Sequence, residues 1–208
     1  MLKTFLFILT YLCCLMTNMH AQKKQYYSTD DYKQIDSLTF TKNKDNFFYF
    51  KVESDSTVVN LKAPRIKKGK LTVEQFDAVK ISLNTDEHYF DTTEFLVIEY
   101  FPGLDSCNSS GDRTAIIANY EEHAAKMESR DDVKQFFIYQ DKEGIEMYGN
   151  INWQADRDHV IQKSFFMLHF PCSSMVVIDR SGNYYSHRGE HNLSEAFTII
   201  KRKKNFQP

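Results

Sequence analysis

The sequence predicts an α/β domain built on a central sheet, preceded by an export signal and an extension that is partly strand. Three observations carry that prediction. Phe95-Leu96-Val97-Ile98-Glu99-Tyr100-Phe101 is a nearly continuous apolar run, the pattern of a strand covered on both faces. Phe136-Phe137-Ile138-Tyr139 and Met175-Val176-Val177-Ile178-Asp179 repeat that pattern, with helical spacing in the segments between them. Arg180-Ser181-Gly182-Asn183 is a tight turn that leads into Tyr184-Tyr185-Ser186 as an antiparallel hairpin.

From the amino end, Lys3 and the apolar stretch Phe5 to Met16 read as the start of a secretory signal. The stretch is shorter than the roughly 20 residues that span a bilayer. Met19-His20-Ala21 ends in a small residue, so cleavage is expected before Gln22 and the mature protein is expected to be periplasmic or extracellular. The competing reading is a short N-terminal anchor. Residues 22–45 are polar and read as a loose lead-in. Asn46 to Leu61 alternates around Asp55-Ser56, as two strands and a turn do. Ala63 to Lys70 reads as a basic connector. Thr72 caps a helix with Val73, Phe76, Val79 and Leu83 on one side. Beyond the first apolar run, Ile116, Tyr120, Ala124 and Met127 recur at helical spacing over 110–128. His159 to Phe166 and Leu193 to Arg202 read as further helices, the last capped by Asn192. The order over 95–203 is therefore β-α-β-α-β-β-α. Strands separated by a helix are expected to be parallel, so 95–101, 135–139 and 174–179 are expected to run the same way. The organisation expected is signal peptide 1–21, extension 22–94 and α/β domain 95–208.

Composition narrows the function. Some 17 Phe and 12 Tyr suffice for a sizeable core, and a net charge of −2 gives nucleic acid binding no electrostatic support. Lys201-Arg202-Lys203-Lys204 reads as a solvated helix end favoured by the dipole. No second apolar run of spanning length is present, so no membrane span is expected after signal cleavage. No segment calls for a cofactor. Four cysteines fall to two once Cys13 and Cys14 leave with the signal. Cys107 and Cys172 remain, and their number leaves three readings open: a structural disulfide, a redox-active pair, or two thiols too far apart to meet. No Cys/His spacing matches a zinc site. His123, His159, His169, His187 and His191 are scattered and read as structural or surface residues.

The order and certain residues resemble the thioredoxin-like superfamily. In that resemblance Phe95 to Phe101 stands for the first central strand, with Glu99 at the acid and Tyr100-Phe101 at the aromatics. Ser174 to Asn183 stands for the last long strand and its hairpin, followed by Gly189-Glu190 and a closing helix. The chain departs from the family at its hallmark: Cys107-Asn108-Ser109-Ser110 is Cys-x-x-Ser, and no Trp precedes it. The family's cis-proline position falls on Ser173, with Pro171 two residues earlier. Phe101-Pro102 also resembles peroxiredoxins, but Leu104 occupies the place of their threonine.

The resemblance implies a thioredoxin-like β-α-β-α-β-β-α core and brings Cys172 towards Cys107. It further implies thiol–disulfide exchange with protein thiols, in which Cys107 attacks, Cys172 resolves and Glu99, buried beneath, moves a proton. A helix N-terminus just after Cys107 would lower its pKa. The alternative is a non-catalytic thioredoxin-like module that binds a peptide or protein, with Glu99 a structural acid.

Overall fold

The computed structural model of the protein describes residues 23–84 and 93–202. The signal peptide and cleavage site expected over 1–22 lie outside the described residues, as do Cys13 and Cys14. The chain divides into two compact units, Met1–Ala63 and Pro64–Pro208. The expected extension 22–94 is thus shared between them.

The first unit is a three-stranded sheet in the order β1-β3-β2: β1 (Lys24–Thr29), β2 (Phe47–Glu53) and β3 (Thr57–Pro64). β1 runs parallel to β3, from Lys24 opposite Thr57 to Thr29 opposite Lys62. The stretch expected to be a loose lead-in therefore contains a strand, and also a short helix, α1 (Ser37–Thr41), capped by Asp36. A polar sequence can be a strand where the partner supplies the burial, here Val58 and Leu61. Lys62 is buried, and its ammonium donates to the carbonyls of Thr39 and Lys42 at the end of α1. Those carbonyls have no intrahelical partner, and the cation meets the negative end of the helix.

The second unit holds a six-stranded sheet in the order β4-β9-β8-β5-β6-β7. Its strands are β4 (Ile66–Lys70), β5 (Phe95–Phe101), β6 (Val133–Tyr139), β7 (Trp153–Ala155), β8 (Ser174–Asp179) and β9 (Asn183–His187). Its helices are α2 (Val73–Ser82), α3 (Arg113–Glu128), α4 (Val160–Phe165) and α5 (Glu195–Lys201). The molecule is thus mixed α/β, with two sheets and five α-helices among the described residues.

All seven residues of β5 are buried, as the unbroken apolar run requires. Phe95 and Val97 face Met127 of α3 and Ile199 and Ile200 of α5. On the other face Tyr100 stacks on Phe166, ring centroids 4.9 Å apart. Thr72 and Gln75 close a capping box at α2, but Val73 is 73% exposed and is not on the buried side with Val79 and Leu83. Ala63 to Lys70 is not a connector: β4 adds an antiparallel edge to β9, Ile66 opposite His187 through Lys70 opposite Asn183. Its lysines suit an edge, where charge discourages further pairing.

The expectation that three strands run parallel is corrected. β5 and β6 are parallel, and so are β6 and β7, but β8 is antiparallel to β5, with Tyr100 opposite Ser174. After β7 the chain passes through the short helix α4 and a loop and enters β8 at the carboxyl edge of β5. That reversal puts the start of β8 beside the loop that follows β5.

Candidate functional site at the carboxyl edge of the central strand

Cys107 and Cys172, 65 positions apart in sequence, form a disulfide across that edge, with Cα atoms 5.1 Å apart. Of the three readings left open by sequence, separated thiols are excluded. Cys107 is exposed and Cys172 is half-buried. Two side chains that the sequence reading did not connect with the pair hold them. One oxygen of Asp105 accepts the backbone N–H of Cys107 at 2.7 Å and of Asn108 at 3.0 Å. Its other oxygen accepts the N–H of Cys172 at 2.9 Å and meets His169 Nε2 at 3.2 Å. The Asn108 amide donates to the carbonyls of Gly103 and Cys172, each at 2.9 Å. Asp105 and Asn108 thus tie the loop after β5 to the segment before β8 independently of the sulfurs.

The clamp is needed because Cys172 has φ +69°, a left-handed conformation that costs a non-glycine residue about 1–2 kcal/mol. Burial opposes ionisation of Asp105, but the N–H groups of Cys172, Asn108 and Cys107 outweigh it and hold the carboxyl below its usual range. Gly103, with φ +121°, lets the chain leave β5 sharply; a Cβ there would meet Asp141 at 3.1 Å. An Asx-type turn is legible in Asp105-Ser106-Cys107-Asn108, but its reach to Cys172 is not.

The helix expected over 110–128 begins at Arg113, and its first N–H groups are taken by Asp112. Cys107 therefore sits in the preceding turn, and the helix terminus is already satisfied by its own cap. No peptide bond among the described residues is cis, at Pro171 or elsewhere.

Glu99 lies below the edge, in the middle of β5. Its side chain and that of His191 are each 1% exposed, and Oε2 meets His191 Nε2 at 3.0 Å. Burial disfavours the imidazolium; the Glu99 carboxylate more than offsets this and raises His191 to about 9. Tyr120 donates to Glu99 Oε1 at 3.4 Å. Burial drives the Tyr120 phenol well above its usual pKa, and Ser173, next to Cys172 in sequence, opposes this in part. Burial also lowers His123 on the neighbouring turn of α3. A cleft of about 480 Å³ opens over this group, lined by Tyr120, Ser173, Glu190 and His191 among others. Glu190, on the loop after β9, brings a carboxylate oxygen within 4.8 Å of both sulfurs.

Glu99 is therefore held by Tyr120 and His191, while the cysteines are held by Asp105 and Asn108. Sequence reasoning gave His191 a structural or surface role without a partner, and used Glu190 only as part of the family resemblance. Nothing local marks either residue, because their partners are on β5 and on distant loops of the same edge. No helix among the described residues is long and apolar enough to cross a membrane. No family model matches the chain, and neither does any of the curated proteins or solved structures compared with it.

Proposed function

We propose that this is an exported thioredoxin-like protein that exchanges disulfides with protein thiols through Cys107 and Cys172. The observation that carries the reading is the cysteine pair at the carboxyl edge of β5, Cys107 an exposed residue and Cys172 a half-buried one. The order β5-α3-β6-α4-β8-β9-α5, with the short β7 added, supports the family resemblance. The export signal rests on residues 1–21 of the sequence.

Access sets the roles. An incoming thiolate attacks Cys107 Sγ, the S–S bond breaks, and Cys172 leaves as a thiolate. A second substrate thiolate then attacks the substrate sulfur of the mixed disulfide. The substrate leaves as a disulfide, and two electrons have passed into the pair. Glu99 is a positioning residue, holding Tyr120 and His191 beneath the edge that carries the cysteines. Protons taken up by the two new thiols come from solvent.

A binding module with a permanently closed disulfide is the second reading, and one observation favours it. The carboxylates of Glu190 and Asp105 flank the sulfurs, and negative charge disfavours thiolates. Equilibrating the protein in glutathione buffers, followed by alkylation and mass measurement, separates the two. Exchange predicts a potential above about −300 mV, the upper range for structural disulfides. A pair that stays closed across that range leaves the binding module.

A further inference from the structure

The geometry points to a second use of the same edge: once reduced, Cys107, Cys172 and Glu190 form a three-ligand site for a borderline divalent cation such as Zn²⁺. The inference rests on the proposed function only in requiring that the disulfide can be opened. Two sulfurs and a carboxylate oxygen already lie within 4.8 Å of one another. A tetrahedral zinc ion, with bonds of about 2.3 Å to sulfur and about 2.0 Å to oxygen, needs its ligand atoms roughly 3.5 to 3.8 Å apart. Opening the S–S bond frees the sulfurs to move from about 2 Å apart to that spacing. The Cα separation of 5.1 Å leaves both side chains converging on one point.

The backbone is held for this without the disulfide. Asp105 bonds the N–H of both cysteines, and Asn108 bonds the Cys172 carbonyl. The two segments therefore stay together when the S–S bond is cut, and the metal meets ligands already in place. Electrostatics favours the cation as well. Two thiolates beside Glu190 and Asp105 concentrate negative charge at one edge, which disfavours the bare dithiolate. A dication removes that penalty. Three protein ligands leave one tetrahedral position open to water or another ligand.

The chemistry balances as follows. An external dithiol or phosphine supplies two electrons, the S–S bond breaks, and two thiols form. Metal binding then releases two protons to solvent as both sulfurs ligate as thiolates. Because the ion binds only the reduced pair, metal at a hundred times its Kd shifts the thiol–disulfide equilibrium about a hundredfold towards the dithiol. That corresponds to about 59 mV.

The test is a Co²⁺ titration of the full chain carrying Cys13→Ser and Cys14→Ser, reduced with a phosphine and freed of it under argon. The expected result is a sulfur-to-cobalt charge-transfer band with tetrahedral d–d bands at one ion per chain, bleached by Zn²⁺ and absent from the oxidised protein. Glu190→Gln, at an exposed position, is expected to weaken binding at least tenfold. Absence of the bands in the reduced chain, or equal affinity in Glu190→Gln, overturns the site. The outcome is independent of glutathione exchange. Bands without exchange leave the metal site and remove the redox function; exchange without bands does the reverse.

Discussion

Replacing Glu99 by glutamine removes the charge that keeps His191 protonated in the core. The two side chains, each 1% exposed, meet at 3.0 Å, and His191 is raised from 6.5 to about 9. A pKa unit is worth about 1.4 kcal/mol, so the pair contributes about 3 kcal/mol when fully expressed. The folded pKa lies above the unfolded one. The contribution is therefore complete below the unfolded value of 6.5 and is lost as pH rises through about 9. Between neutral pH and about pH 9 the native protein should lose about 2 kcal/mol from this source. In Glu99→Gln burial acts on His191 without its main opposing carboxylate, leaving only the smaller contributions of Gly189 and Glu195, so the loss over this window shrinks. His123, lowered by burial, acts only on the acid side of 6.5. The buried tyrosines are raised and act only above their usual pKa of 10.0. The assay is urea unfolding of the oxidised protein at constant ionic strength across the window. Stability curves that run parallel in the native protein and the variant would refute a protonated His191 paired with Glu99.

Two further outcomes follow from the edge itself. Cys107→Ser removes a cross-link closing a loop of 65 residues, and unfolding free energy should fall by about 4 kcal/mol; a loss under about 1 kcal/mol, read from denaturant midpoints, would contradict the closed pair. Asp105→Ala deletes an acceptor for three backbone N–H groups and should cost about 3 kcal/mol at neutral pH. Because the Asp105 pKa is lowered on folding, that difference should shrink as pH falls through the carboxylate range, and thermal unfolding with undiminished difference in acid would count against the clamp.

Much of the second unit is legible in sequence because its signals are local. The apolar run of β5 announces a strand covered on both faces, and all seven of its residues are buried. Thr72 and Gln75 write the start of α2 within four residues. Asp179 to Asn183 carries its own turn, with the Asp179 carboxylate accepting from Ser181 and Asn183. Each depends on side chains a few positions apart, so neighbouring residues suffice to specify it.

What tertiary structure alone decided are the pairings between distant segments. β4 is a strand because β9 offers an edge, and its own Ile-Lys-Lys-Gly-Lys reads as a connector. β8 runs against β5, opposite to what the β-α-β pattern suggests, because its pairings with β5 and β9 are made between distant segments. That one reversal brings Cys172 to Cys107 and sets the loop of Glu190 beside them. Sequence supplied the cysteines, the buried acid and the strand that carries it. The partners of Glu99 came from α3 and from the loop after β9, 21 and 92 residues away. Chain closure over such separations is fixed by the packing of whole elements, and no local spacing records it.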